Sequence, residues 1–133
     1  MSGWLPGYTL YPFLRVIRSS GKPRREFLRS EDMADACVFL LENRDFEHTF
    51  STGEKEVRNT HINIGTGIDV SIKELAEEIK SEIGYKGNFN FNTSKPDGTL
   101  KKLTDVSKLN SLGWKHKVSI EKGFEKMYSW YLS

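Results

Sequence analysis

Apolar residues recur at helical spacing in several stretches of the 133-residue chain. After Ser30, a helix over 31–43 is predicted, with Glu31 and Asp32 in its first turn, where the helix dipole favours acids. Met33, Cys37, Leu40 and Leu41 would form its buried stripe. The clearest start is Ser71-Ile72-Lys73-Glu74, a capping box in which serine and glutamate satisfy each other's backbone donors. Ile72, Leu75, Ala76, Ile79 and Ile83 then make a buried face, and Gly84 suits a left-handed stop. Asp105 to Leu112 reads as a short helix stopped by Gly113. Ser119 opens a last helix with Ile120, Phe124, Met127, Tyr128 and Tyr131 inward.

Strand signals are shorter. Ile62 and Ile64 alternate with polar neighbours, as do Phe89 and Phe91. Glu26-Phe27-Leu28 is a short extended piece. Residues 19–25 are turn-forming, 43–60 form a polar loop, and Pro96-Asp97-Gly98 is a turn. Residues 1–17 are apolar but broken by Pro6, Gly7 and Pro12, with no clean period, and are expected to be irregular. Helices alternating with short strands predict one small α/β domain, with three capped helices and few strands. The pattern has the look of half of a larger design.

Composition narrows the classes. With 37% hydrophobic and 29% charged residues, the chain is too apolar for disorder and too polar for a membrane protein. It has no apolar run long enough to span a bilayer and no secretory leader pattern, so a cytoplasmic location is expected. The single Cys37 cannot form an internal disulfide and reads as a small core residue, and no Cys/His cluster suggests a metal. Gly65-Thr66-Gly67 lacks the third glycine of a dinucleotide loop, and the next helix starts too late. It reads as a strand-to-helix turn. There is no Walker motif, no tyrosine followed by lysine four residues later, and no Ser/His/Asp set; His48, His61 and His116 are scattered. No catalytic, cofactor-binding or metal-ligating residue is assigned.

The net charge of +2 hides an uneven distribution. Residues 1–30 hold six basic residues and one acid, a net of +5, so the remainder carries −3. Two basic segments stand out: Lys22-Pro23-Arg24-Arg25-Glu26-Phe27-Leu28 and Lys95-Pro96-Asp97-Gly98-Thr99-Leu100-Lys101-Lys102. Arginine presents a planar fork of donors that matches phosphate oxygens, and lysine adds a point charge. An aspartate in a tight turn accepts hydrogen bonds from hydroxyls and amines. The two loops would suit a nucleoside diphosphate if they meet over one pocket.

These residues carry a resemblance. Arg24-Arg25-Glu26-Phe27-Leu28 followed by Glu31-Asp32-Met33-Ala34-Asp35-Ala36-Cys37 resembles the segment that opens the substrate half of GDP-L-fucose synthases. Thr60-His61-Ile62-Asn63-Ile64-Gly65-Thr66-Gly67 is similar to the family's next segment. Gly84-Tyr85-Lys86-Gly87 with Ser94-Lys95-Pro96-Asp97-Gly98-Thr99 is the most specific part. Asp105-Val106, Leu112-Gly113-Trp114 and Tyr128-Ser129-Trp130 carry the similarity to the end. It covers about residues 19–133 and leaves out 1–17.

The resemblance implies the small C-terminal substrate-binding domain of an extended short-chain dehydrogenase, over residues 18–133, without a Rossmann domain. The family epimerises GDP-4-keto-6-deoxy-D-mannose and reduces it to GDP-L-fucose with NADPH. Its NADP site and catalytic groups lie in an N-terminal domain that this chain does not resemble, so no cofactor is expected here and the isolated chain is expected to be inactive. Carried over position by position, Arg25 falls on the diphosphate or sugar, Asp97 is the aspartate of Pro-Asp-Gly, and Lys102 lies near the nucleoside. Arg18 stands where the family usually has a tryptophan, and Arg29-Ser30 replaces the commoner His-Val. The expected partner is a GDP-sugar, with self-association through an exposed apolar surface. The alternative is a non-enzymatic module binding a protein partner, or nucleic acid through the basic 15–29 stretch. The nucleic-acid reading predicts steep salt dependence but lacks a recognition motif.

Overall fold

The computed structural model describes residues 14–51, 53 and 56–133. The strands are β1 (Leu14–Ile17), β2 (Arg24–Glu26), β3 (Asp69–Ser71), β4 (Asn88–Phe91) and β5 (Lys101–Lys102). The α-helices are α1 (Ser30–Asn43), α2 (Ile72–Glu82), α3 (Ser107–Ser111) and α4 (Ile120–Leu132). β1 pairs in parallel with β4; a second sheet has the order β3-β2-β5, antiparallel then parallel.

The α/β expectation holds, with corrections. Residues 14–17 form a strand because Leu14 to Ile17 register against Asn88 to Phe91, a partner 74 positions away in each case. Most of the irregular reading, residues 1–13, falls outside the described residues. Ile62 and Ile64 do not form a strand; they pack half-buried against the core from an extended segment without a ladder. The 43–60 loop contains a 3-10 turn at Phe46–Thr49. Asp45 and His48 cap it, and the Asp45 N–H donates to His48 Nδ1 at 2.9 Å.

The helix boundaries follow their local chemistry. The capping box forms as read: Glu74 N–H donates to Ser71 Oγ at 3.1 Å and Ser71 N–H to Glu74 Oε2 at 2.7 Å. Gly84, at φ 67°, ends α2 in the left-handed region. Ser119 caps α4, accepting from Lys122 N–H. α1 starts one residue early: Arg29 is its N-cap, without a side-chain cap bond, and Ser30 is already helical.

The core is small. Ala36, Leu109 and Trp114 are its buried centre, with Leu28, Phe39 and Leu40 packed around them. α1 is rotated from the expected stripe. Asp32 and Ala36 face inward, whereas Met33, Cys37 and Leu41 are exposed, Leu41 at 85%. The reason is polar. The buried Asp32 Oδ2 accepts from the Lys117 and Val118 backbone N–H groups at 3.1 and 3.0 Å. One turn on, Asp35 accepts from Trp114 Nε1 at 2.7 Å. Two carboxylates bonding to the 114–118 segment set which side of α1 turns in, at the expense of its larger apolar residues. On α2, Ile72, Leu75 and Ala76 are half-buried, while Ile79 and Ile83 reach solvent. On α4, Met127 and Tyr131 are exposed rather than inward.

Candidate functional site

The three-stranded sheet sorts four cations onto two faces. Side chains alternate along a strand, so Arg24 and Arg25 project oppositely. Parallel pairing places Lys101 beside Arg24 and Lys102 beside Arg25. One face therefore carries Arg24 and Lys101, the other Arg25 and Lys102.

The first face is neutralised from within. Arg24 Nε meets Asp69 Oδ1 at 2.7 Å, its Nη2 donates to the Asp69 carbonyl at 2.9 Å, and its Nη1 reaches Glu74 Oε2 at 3.2 Å. Lys101 Nζ lies 3.3 Å from Asp69 Oδ2. The hydrogen bond from Arg24 is the main cause that holds the Asp69 carboxyl below its usual range, and the same bond raises Arg24. Arg24 thus has the work of tying β2 to β3 and α2.

The second face has no such partners. Among the described residues, no carboxylate lies within ion-pair distance of Arg25 or Lys102. Arg25 Nη1 donates to the Arg24 carbonyl at 2.7 Å, which fixes the guanidinium near the backbone and leaves its other donors open. Its Nη2 lies 3.7 Å from where a Cβ on Gly98 would stand, so the Pro96–Gly98 segment runs beside the arginine; that segment is irregular rather than the turn its sequence suggested, the turn falling at 93–94.

Asp97 belongs to the same segment and ties it to Ser20. Ser20 N–H donates to Asp97 Oδ1 at 2.8 Å, and Ser20 Oγ donates to Oδ2 at 2.5 Å. The two bonds, side chain first, hold the Asp97 carboxyl below its usual range. The two basic loops therefore meet, joined by this bridge and by the β2–β5 ladder. Arg18 is exposed in the segment after β1, two residues before Ser20, and among the described residues its side chain has no hydrogen bond or ion pair that joins it to Arg25, Asp97 or Lys102. The sequence gives no signal for Ser20, because the pairing spans 77 positions and leaves no local pattern.

Glu26 fastens the site from behind. Its Oε1 accepts from the backbone N–H groups of Thr66 and Gly67, both at 2.6 Å, and its Oε2 accepts from Thr104 N–H at 2.9 Å. Burial pushes this carboxyl up, but bonds from Thr104, Gly67 and Thr66 outweigh it and leave the pKa lowered. A Cβ on Gly65 would stand 2.5 Å from Glu26 Oε1, so this turn needs glycine to let the carboxylate in. The arrangement also answers whether Gly65-Thr66-Gly67 fits a dinucleotide pyrophosphate. It does not, since its donors already face a carboxylate.

No family model matches the chain. Individual proteins do. It is 44% identical over 117 residues to the GDP-L-fucose synthase of Escherichia coli K12, and 47% identical over 117 residues to GDP-L-fucose synthase 1 of Arabidopsis thaliana. Each match takes in 88% of this chain, but only 36% and 32% of the relative. The chain spans about a third of the length of the curated relatives it matches. Among solved structures, a GDP-6-OMe-4-keto-L-xylo-heptose reductase from C. jejuni superposes with a TM-score of 0.83 at 47% identity, covering 90% of this chain and 34% of that one. A GDP-mannoheptose C4 reductase from Campylobacter jejuni with NADP bound superposes with a TM-score of 0.80 at 45% identity, covering 91% and 35%. The small α/β fold, these identities and these superpositions lead to one statement: the chain is a homologue of the C-terminal part of the GDP-L-fucose synthases and related GDP-sugar reductases of the extended short-chain dehydrogenase family.

Proposed function

We propose that this chain is the GDP-sugar-binding part of an enzyme of the GDP-L-fucose synthase type, working in the cytoplasm. The observation that carries the reading is the Arg25–Lys102 pair: two adjacent cations on one sheet face, without carboxylate partners among the described residues, with Gly98 beside Arg25. Arg25 offers its free donors to diphosphate oxygens, and Lys102 adds a second positive charge. Asp97, through Ser20, holds the two loops together, and Arg18 adds a positive charge at the exposed segment before Ser20. Such a face binds an anion through charge-assisted hydrogen bonds, each stronger than a neutral one.

Catalysis is assigned elsewhere. Reduction of a keto sugar needs a bound hydride donor and an acid–base group within hydrogen-bond reach. The residues around Arg25 are assigned to binding, and the donors of the glycine turn already face Glu26. NADP, when bound in the family, supplies the hydride; this chain's residues bind and orient the nucleotide. The chain alone binds GDP-sugar weakly, since half a cleft makes few contacts against much of the same entropy cost.

Calorimetric titration of the chain with GDP and GDP-mannose, with UDP-glucose and a short DNA duplex as controls, tests the reading. GDP-selective binding without NADPH-dependent turnover of the keto sugar is the expected result. Turnover by the chain alone overturns the division of labour; salt-sensitive DNA binding with no response to GDP overturns the reading altogether.

A further inference from the structure

Of the six aspartates in the sequence, Asp97 is the one that glycine follows, and no asparagine precedes a glycine. The pairing matters chemically. The backbone nitrogen after an aspartate can attack the side-chain carboxyl, and glycine has no Cβ to shield that nitrogen. The local structure leaves it open. Residues 96–99 lie outside any helix, strand or turn, and Gly98 and Thr99 are exposed. Among the described residues, neither the Gly98 nor the Thr99 N–H donates a hydrogen bond. The stretch is anchored at its ends, by Asp97 on Ser20 and by the Leu100 carbonyl, which accepts from Arg24 N–H at 2.7 Å.

We infer that Asp97–Gly98 is a site of spontaneous isomerisation to isoaspartate, and that Ser20 is the residue that restrains it. The Gly98 nitrogen bonds to Asp97 Cγ, and one carboxyl oxygen leaves as water with the N–H proton and a proton from solvent. That closes a five-membered imide. Water then adds at the Asp97 main-chain carbonyl and breaks its bond to the Gly98 nitrogen, returning the solvent proton. The chain now runs through Cβ and Cγ, and the freed carboxylate sits on Cα. One water leaves and one returns, so the composition is unchanged and no oxidant or reductant is needed.

Ser20 opposes the first step at both oxygens. Its N–H donates to Oδ1 at 2.8 Å and its hydroxyl to Oδ2 at 2.5 Å, so whichever oxygen departs as water must first give up a bond to Ser20. The same bonds, side chain first, hold the carboxyl below its usual range and in the ionised form, which is the poorer electrophile. The product undoes the tie. A carboxylate on Cα has one carbon less reach, and the backbone before Gly98 is one carbon longer, so the segment is released from Ser20. The chemistry needs no bound nucleotide and stands apart from the GDP-sugar reading.

The test is to age the chain for weeks at neutral pH and physiological temperature. The 97–98 linkage is read by electron-transfer fragmentation, which separates the two forms although their masses are equal, and circular dichroism follows the fold. Ser20→Ala removes the hydroxyl and Ser20→Thr keeps it. Gly98→Ala shields the attacking nitrogen, and its Cβ fits, with Arg25 Nη2 at 3.7 Å. Isoaspartate is expected to form about tenfold faster in Ser20→Ala than in the wild type, the change that matches loss of one hydrogen bond to a charged group. Ser20→Thr is expected to age as the wild type does, and adding Gly98→Ala to Ser20→Ala to reverse most of the gain. Wild type held unfolded in guanidinium chloride is expected to isomerise faster than the folded chain, a comparison that needs no variant to fold. Absence of isoaspartate at 97 in every sample, equal rates in wild type and Ser20→Ala, a folded wild type that ages as fast as the unfolded one, or a Ser20→Ala rate that Gly98→Ala leaves unchanged overturns the inference.

Discussion

At the scale of single residues, two adjacent arginines have opposite jobs. Arg24 ends on Asp69 and Glu74 and holds the sheet to α2. Arg25 ends near the backbone of its own strand and beside Gly98, with donors to spare. The sequence Arg24-Arg25 does not say which is which, because both are basic and only the pairing register with β3 and β5 places a carboxylate on one face. Arg24→Ala is therefore expected to lower the melting temperature and leave nucleotide affinity nearly unchanged at a temperature where the chain stays folded. Arg25→Ala is expected to leave the melting temperature level and weaken GDP binding about tenfold to a hundredfold. Thermal melts and titrations on the same preparations check both. Asp97→Ala tests the Ser20 bridge: the loops part and affinity falls, whereas Asp97→Asn, which keeps acceptors for Ser20 at one oxygen, falls less.

Glu26 is the clearest structural carboxylate. Three backbone N–H groups end on it, so Glu26→Ala leaves three donors without their partner and is expected to cost about 2–4 kcal/mol. Its folded pKa is lowered from 4.5, so its contribution is complete above that value and is lost as pH falls through the lower folded one. Glu26→Gln should flatten the acid limb of the stability curve in that window. An unchanged acid limb in the variant would contradict the assignment. Glu78 behaves oppositely. Burial, then Glu121 and Glu74, raises its pKa, and its Oε2 is shielded without a hydrogen-bond partner. Stability linked to Glu78 is complete below 4.5 and falls as pH rises through the raised folded value. Glu78→Gln should therefore raise the melting temperature in mildly alkaline buffer and change it little in acid.

At the scale of elements, sequence reading succeeds where the determinant is local. The Ser71–Glu74 box, the Gly84 stop and the Ser119 cap all lie within a few residues of the helix they bound, and all three form. It fails where the determinant is distant. β1 is a strand because β4 lies beside it, and no alternation in Leu14 to Ile17 announces that. The face of α1 is set by Asp32 and Asp35 bonding to the 114–118 segment, so a stripe drawn through Met33, Cys37 and Leu41 points outward. Counting apolar residues gives the helix; its rotation depends on polar satisfaction that only the fold reveals. Trp114 is where that satisfaction and the core coincide, 4% exposed and bonded to Asp35. Trp114→Phe keeps much of the volume but leaves the Asp35 bond unmade. It should destabilise less than Trp114→Ala, which is expected to cost about 3–5 kcal/mol in chemical denaturation.

At the scale of the whole molecule, the balance between core and surface explains the chain's character. The buried hydrophobic set among the described residues is Ala36, Val106, Leu109, Leu112 and Trp114, while Leu41, Trp130, Tyr131 and Leu132 are largely exposed. A folded domain of this size ordinarily buries close to two thirds of its surface. The helices carry more apolar surface than the core receives, in keeping with a chain that matches about a third of its relatives' length. Arg25, Asp97 and Lys102 could be named as candidates from residue type and family resemblance. The geometry of the site could not be read, because the Ser20–Asp97 bridge and the β2–β5 pairing join residues more than 70 positions apart.

The central claim is that Arg25 and Lys102, and not Arg24 and Lys101, form the anion-binding face. Calorimetric titration of GDP into the wild type and the four single alanine variants tests it most directly. The account predicts that Arg25→Ala and Lys102→Ala lose affinity about tenfold or more while Arg24→Ala and Lys101→Ala bind as the wild type does. Equal losses in all four, or losses confined to Arg24 and Lys101, would contradict it.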